Sequence, residues 1–398
     1  MERLRSRREV VRIALSIGLV VSLLGLGGYG ILSKTSRVVE SVKEQVAAEA
    51  ETPVATPISI EPVNPGPVRV ALPEEVRGIY WTAVTAGDAS KRRALTTYMT
   101  DRGLNAVVID VKMDNGALAF IPQDETLVPY AMDAPPIRDV RAVMDELGEK
   151  NIYRIARIAI MRDSVFASAH AKIAVQRTGG GLWRDKTGVA WLDPAAPEVA
   201  EYAIALGREA LATGFDELQY DYVRFPSDGV LSTIRYPLSQ NADKAVVMRA
   251  FFDALNVLRD EGAIVSYDVF GMTFWSSSHF GIGQRLEDVY PNANFVSPMV
   301  YPSHYPDGFR GFGNPALYPY EIVKQSLDKG AEMLEADHFI SPTSSRQKFR
   351  PWLQDFDIGA VYTAARIEAQ IKAARDAGAS GWMLWNARNV YEPAKYVE

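Results

Sequence analysis

Residues 197–225 read PEVAEYAIALGREALATGFDELQYDYVRF. Up to Gly214 the stretch is rich in Ala, Leu, Arg and Glu and patterns as a helix, with the glycine where a left-handed C-cap is expected. ELQYDYVRF (217–225) follows as a run of aromatic and β-branched residues, the composition of a strand. A helix leading straight into a strand is one piece of a βα repeat, and the same alternation continues in both directions. Upstream lie RGIYWTA (77–83), NAVVIDVK (105–112) and IYRIARIAI (152–160). Downstream come AIVSYDVFG (263–271), NFVSPMVY (294–301), FRPWLQDF (349–356) and GWMLWNA (381–387). Helical stretches such as KRRALTTYMTDRG, RDVRAVMDELGEKN and ARIEAQIKAARDAGAS separate them, and Gly103 and Gly262 again stand just before strands. Eight strands alternating with helices predict a closed (β/α)8 barrel. No Gly-x-Gly-x-x-Gly follows the first strand, which argues against a dinucleotide-binding sheet.

The composition narrows the chemistry. The chain has 398 residues, 47% hydrophobic and 23% charged, and a net charge of −6. That balance suits a folded domain and gives no basic surface for nucleic acid. Cysteine is absent, which removes disulfides, thiolate catalysis and cysteine-ligated metals. The four histidines, His170, His279, His304 and His338, are far apart in sequence, so no His-x-x-x-His metal site exists. No metal or other cofactor is expected.

Before the barrel the sequence changes character. Residues 1–12 carry Arg3, Arg5, Arg7, Arg8 and Arg12, and IALSIGLVVSLLGLGGYGILS (13–33) is uncharged. A span of about 20 apolar residues crosses a bilayer as a helix, so 13–33 is expected to be a transmembrane anchor. The arginines stay cytoplasmic by the positive-inside rule, which puts the rest of the chain outside the cytoplasm. Cleavage as a signal peptide near Gly27–Gly30 is the alternative. Residues 34–68, with five prolines in ETPVATPISIEPVNPGP, read as a stiff stalk, leaving 69–398 as the barrel domain.

In such barrels the active site lies at the C-terminal ends of the strands. Those ends offer Trp81, then Asp110, Lys112 and Asp114, then Arg157 and Asp163, then Asp221 and Arg224. Asp268, Tyr301 with His304, Gln354 with Asp355, and Trp385 with Asn386 complete the ring. Carboxylates flanked by aromatic rings describe a sugar site, because Trp and Tyr stack on the apolar faces of pyranoses. Strand alternation sends Tyr220 and Tyr222 toward the helices and puts Glu217 at the strand's base. It also puts Arg224 opposite Asp221, unless the turn at Pro226 swings it back.

GFDELQYDYVRFP (214–226) is similar to the fourth-strand motif of several glycosidase barrels. Together with VRGIYWTA, VVIDVKMDNG, SYDVFG, SPMVYPSHY, RPWLQDF and GWMLWNA, it resembles a bacterial family of glycosyl hydrolase domains over residues 76–393. The resemblance to α-amylase-like barrels implies Asp221 as nucleophile and Asp268 as acid/base, although Asp268 stands where those enzymes carry Glu. In chitinase-like barrels the motif ends in a catalytic Glu. Here the matching positions are Asp216, Gln219, Asp221 and Val223, and the Glu is missing. The resemblance thus implies a glycosidase acting on polysaccharide, and the strand-end positions offer Trp81, Asp110, Lys112, Asp114, Arg224, Tyr301, His304, Trp385 and Asn386 as candidate substrate-binding residues. Two alternatives stand beside it: a non-catalytic carbohydrate-binding barrel, and a carboxylate-metal hydrolase or deacetylase, against which the few histidines count. The net negative charge leans toward a neutral or cationic glycan.

Overall fold

The computed structural model describes residues 66–338 and 340–397. The basic segment 1–12, the expected anchor 13–33 and most of the expected stalk 34–68 lie outside them. Among the described residues, no helix is long and apolar enough to cross a membrane.

Eight parallel strands close into a barrel: β1 (Val76–Trp81), β2 (Ala106–Lys112), β3 (Tyr153–Ala159), β4 (Glu217–Asp221), β5 (Val265–Phe270), β6 (Phe295–Met299), β7 (Trp352–Gln354) and β8 (Gly381–Trp385). Each strand pairs with its neighbours in sequence, and β8 closes on β1 through Val76 opposite Gly381. Seven helices follow the strands in turn: α1 (Ala89–Asp101), α2 (Val140–Gly148), α3 (Pro197–Thr213), α4 (Lys244–Ala254), α5 (Leu286–Val289), α6 (Pro319–His338) and α7 (Ala364–Asp376). Aspartates start several of them: Asp88 accepts from the Ser90 and Lys91 amides, Asp139 from Ala142 and Asp243 from Ala245. Such a cap satisfies donors that the first turn leaves orphaned, worth about 1 kcal/mol each. α3 ends at Gly214 in a left-handed conformation (φ +117°), where a Cβ would also stand 2.9 Å from Met144.

Alternation along the strands builds two cores. Trp81, Val107, Ile109, Leu218 and Val269 pack outward under the helices, whereas Val76, Tyr80, Val108, Ile155 and Met383 fill the barrel. The floor of the barrel is polar but closed: Glu217 accepts from Arg350 (2.6 Å), Ser266 (2.7 Å) and Tyr153 (3.1 Å), all out of solvent. The chain enters at this end, where Arg154 binds both Asp216 (2.6 Å) and the Val68 carbonyl (2.7 Å).

Two strands are shorter than the sequence pattern suggests, each for a local reason. β7 starts only after Pro351, which has no N–H to give to a ladder. β4 stops at Asp221 because Tyr222 adopts φ +51°, a left-handed backbone that is uncommon for a bulky residue. Beyond β3 and β4 the two connecting loops meet in a small antiparallel pair, Gln176–Arg177 with Ile234–Arg235.

Candidate active site

A cavity of about 350 Å³ opens at the C-terminal strand ends and is lined by Asp221, Asp268, Arg157, Arg224 and a ring of aromatic side chains. Its size is at the lower end of the range of about 300–1,000 Å³ usual for ligand pockets. Asp221 closes β4 with its side chain inward, like Gln219 before it. Its Oδ2 accepts from Arg157 Nε (2.9 Å) and Nη2 (2.6 Å), and its Oδ1 accepts from the Tyr222 amide (2.6 Å). Arg157, projecting from β3, also binds Asp110 (2.6 Å) and Asp114 (3.0 Å), so one guanidinium joins three carboxylates. They hold its pKa well above the ordinary arginine value, overcoming the burial that works the other way.

Asp268 projects from β5 into the same cavity but in different surroundings. Its Oδ1 accepts from Trp352 Nε1 (2.7 Å), while its Oδ2 has no hydrogen-bond partner among the described residues. Burial and the charge of Asp221 push its pKa well above the carboxylate range, and the indole hydrogen bond opposes this only in part. Two carboxyl groups in one cavity thus differ in kind, one salt-bridged and one desolvated.

The aromatic walls come from the remaining strands. Trp385 of β8 stacks on Tyr80 (centroids 4.1 Å apart) and meets Trp352 edge-on (5.5 Å), with the Arg157 guanidinium 5.2 Å from its ring. Tyr301 and His304 follow β6, two strands from β8 in the barrel, and their rings lie 5.2 Å apart. Burial lowers the His304 pKa, which favours a neutral imidazole at neutral pH.

Of the residues expected from sequence, Asp114, Asp221, Arg224, Asp268, Tyr301, His304 and Trp385 meet in this cavity. Four do not. Trp81 packs in the outer core because alternation turns Tyr80 inward in its place. Lys112 follows an irregularity in the β2–β3 register after Asp110, and it is fully buried against Asp163 (2.8 Å) instead. Asp163 also accepts from the Phe166 amide at the start of helix 164–169. Asp110 lies behind Arg157, receiving the Tyr80 hydroxyl (2.5 Å). Asn386 donates to the carbonyls of Asp355 and Val390 and folds the C-terminal segment back. Tyr220 does point at the helices, donating to the Ala203 carbonyl (2.9 Å). Tyr222 does not: its left-handed backbone turns it and Arg224 into the cavity, while Val223 goes to the outer core. Arg157 stood among the strand-end residues, but nothing in the sequence marked it as the hub of three carboxylates. Phe270 and Tyr305 carried no signal beyond their positions in strand-end motifs.

A closed (β/α)8 barrel with two unlike carboxyl groups among aromatic rings at its C-terminal end is the class this chain falls in. The family model described as "Putative glycosyl hydrolase domain" matches residues 78–391, and the chain belongs to that family. No curated protein sequence matches the chain. Among solved structures, a hypothetical protein from Ruminiclostridium thermocellum is 27% identical, covering 48% of this chain and 97% of its own, with a TM-score of 0.43. The spore cortex-lytic enzyme SleL of Bacillus megaterium is 13% identical over 93% of this chain and 83% of its own, with a TM-score of 0.48. Alpha-L-fucosidase isoenzyme 2 from Paenibacillus thiaminolyticus is 12% identical over 81% of this chain and 47% of its own, with a TM-score of 0.50. At this identity the fucosidase likeness bears on the fold.

Proposed function

We propose that the chain is a glycoside hydrolase that cleaves a polysaccharide of the cell envelope or an exopolysaccharide, with Asp268 as the acid and Asp221 as its anionic partner. The observation that carries this reading is the contrast between the two carboxyl groups, one bound to Arg157 and the other buried with a free Oδ2. Glycosidic cleavage requires one carboxyl to arrive protonated and the other charged. Asp268, its pKa raised, donates its proton to the leaving oxygen. Trp352 Nε1 then stabilises the carboxylate that donation leaves behind. Asp221, oriented by Arg157 and the Tyr222 amide, attacks the anomeric carbon or directs a water to it. Trp385 and Tyr301 supply ring faces for the sugars. We further propose that residues 13–33 tether this activity to the outer face of the membrane.

Asp221→Asn and Asp268→Asn test the assignment. Each should lower turnover by about 10²–10⁴-fold or more while the chain still folds and binds glycan. On a substrate with an activated leaving group, Asp268→Asn should regain glycosylation rate and Asp221→Asn should not. Wild-type-like hydrolysis by both variants would sink the assignment. Tight glycan binding without cleavage by the wild type would favour a binding barrel.

A further inference from the structure

Four arginines are buried in the described barrel: Arg154, Arg157, Arg224 and Arg350. Arg154 holds Asp216, Arg157 holds three aspartates, and Arg350 holds Glu217. Arg224 holds none. Among the described residues no carboxylate comes within ion-pair distance of it, and Asp228, nearby in sequence, pairs with Lys186 (3.5 Å). Its hydrogen bonds use Nη1 alone, to the Phe225 carbonyl and the Ser227 hydroxyl (both 3.1 Å). Nε and Nη2 have no acceptor among the described residues. The side chain nevertheless lines the catalytic cavity and is only 9% exposed.

Three rings surround the guanidinium: Phe270 at 4.6 Å, Trp191 at 5.0 Å and Tyr222 at 5.1 Å from ring centroid to Cζ. Rings interact with the flat faces of a guanidinium and leave its N–H edge for hydrogen bonds in the plane. A planar, two-oxygen acceptor fits that edge. Burial depresses the Arg224 pKa, opposite to the rise at Arg157, and the charges of Asp221 and Asp228 offset that burial only in part. An arginine remains charged all the same, and a desolvated charge without a partner is unfavourable until a ligand supplies one.

We propose that Arg224 receives a carboxylate borne by the sugar chain, so that the substrate is an acidic glycan: one containing a uronic acid or a sugar with an ether-linked carboxylate. The proposal rests on the glycoside hydrolase reading and deepens it. It reverses the lean drawn from net charge, because recognition depends on the charge facing the ligand and not on the sum over the chain.

Calorimetric binding to the full chain carrying Asp268→Asn tests this without turnover. The probes are oligosaccharide ladders of glucuronate, of galacturonate and of N-acetylmuramate with its lactyl carboxylate free. Each is paired with the same ladder after reduction of the carboxyl to an alcohol. At least one acidic ladder should bind about 30-fold or more tighter than its reduced partner, in keeping with a desolvated charge-assisted contact. The ladder that does so identifies whether the carboxylate sits on the ring or on an ether arm. Adding Arg224→Gln should bring the acidic-to-reduced ratio to within about 3-fold of one, and Arg224→Lys should leave it between the two, since charge without the planar fork is retained. Binding by no ladder, equal binding of acidic and reduced forms, or a ratio unchanged by Arg224→Gln each overturns the proposal. The reduced ladders decide the matter even if the Arg224 variants fail to fold. Cleavage of a neutral glycan with no acidic preference would overturn this inference and leave the hydrolase reading standing. Arg224-dependent acidic binding without any cleavage by the wild type would do the reverse.

Discussion

Removing Arg157 should unbalance the whole site in a pH-dependent way. Arg157→Met keeps most of the side chain's length and drops its charge, leaving Asp110, Asp114 and Asp221 together without the cation that joins them. Breaking a buried pair by deleting one partner typically costs about 3–5 kcal/mol. Asp110 and Asp221 are buried while Asp114 is partly exposed and screened, so a loss of that order applies at pH 8. Acid should return part of the loss. The folded variant can take up a proton to relieve the repulsion, whereas the unfolded chain holds few above pH 5. Stability therefore falls as pH rises through that window, by about 1.4 kcal/mol per pH unit for each extra proton bound in the folded state. Going from pH 8 to pH 5 should close the gap to wild type by on the order of 2–3 kcal/mol. Urea denaturation of both proteins at the two pH values measures it. A deficit below about 1 kcal/mol at pH 8, or one equal at both pH values, would refute the view that the guanidinium offsets three charges.

Two further outcomes follow from single contacts. Trp352→Phe removes the indole donor that opposes the rise in the Asp268 pKa, so the alkaline limb of the kcat–pH profile should move to higher pH; an unmoved or lowered limb would detach Trp352 from the acid. Asp355, buried with its pKa raised to about 7, contributes stability that is present below about pH 4 and lost as pH climbs toward 7. Asp355→Asn should therefore gain on wild type by roughly 2–4 kcal/mol between pH 4 and pH 8, read from denaturant melts, and parallel curves would contradict it.

The barrel was legible because its strands differ from its helices in composition as well as in period, and because glycines such as Gly214 mark the turns between them. Asp221 and Asp268 could be picked out since each stands at or near the C-terminal end of its strand with its side chain inward under simple alternation. The errors lie where alternation slips. At the end of β1 the inward position belongs to Tyr80 and not Trp81. The irregular register after Asp110 sends Lys112 outward to Asp163, and no residue type announces it. Tyr222 was expected to face the helices, and Arg224 as well unless the turn at Pro226 swung it back. The left-handed Tyr222, one residue after Asp221, is what brings both into the cavity. Arg157 illustrates another limit. Its three partners come from two strands and a loop, and a convergence of that kind is a property of closure, invisible one segment at a time.

The turn at Tyr222 has a consequence for how this barrel can change by descent. Asp221 and Arg224 share one wall only because a single residue between them takes φ +51°. A β-branched residue at position 222 strongly disfavours that conformation and would carry the strand on past Asp221, rotating position 224 toward the helices. The orientation of Asp221 and the placement of Arg224 are thus inherited together through one backbone torsion. Drift at position 222 would turn Arg224 out of the cavity and take the Tyr222 amide from Asp221, leaving Arg157 to hold that carboxylate.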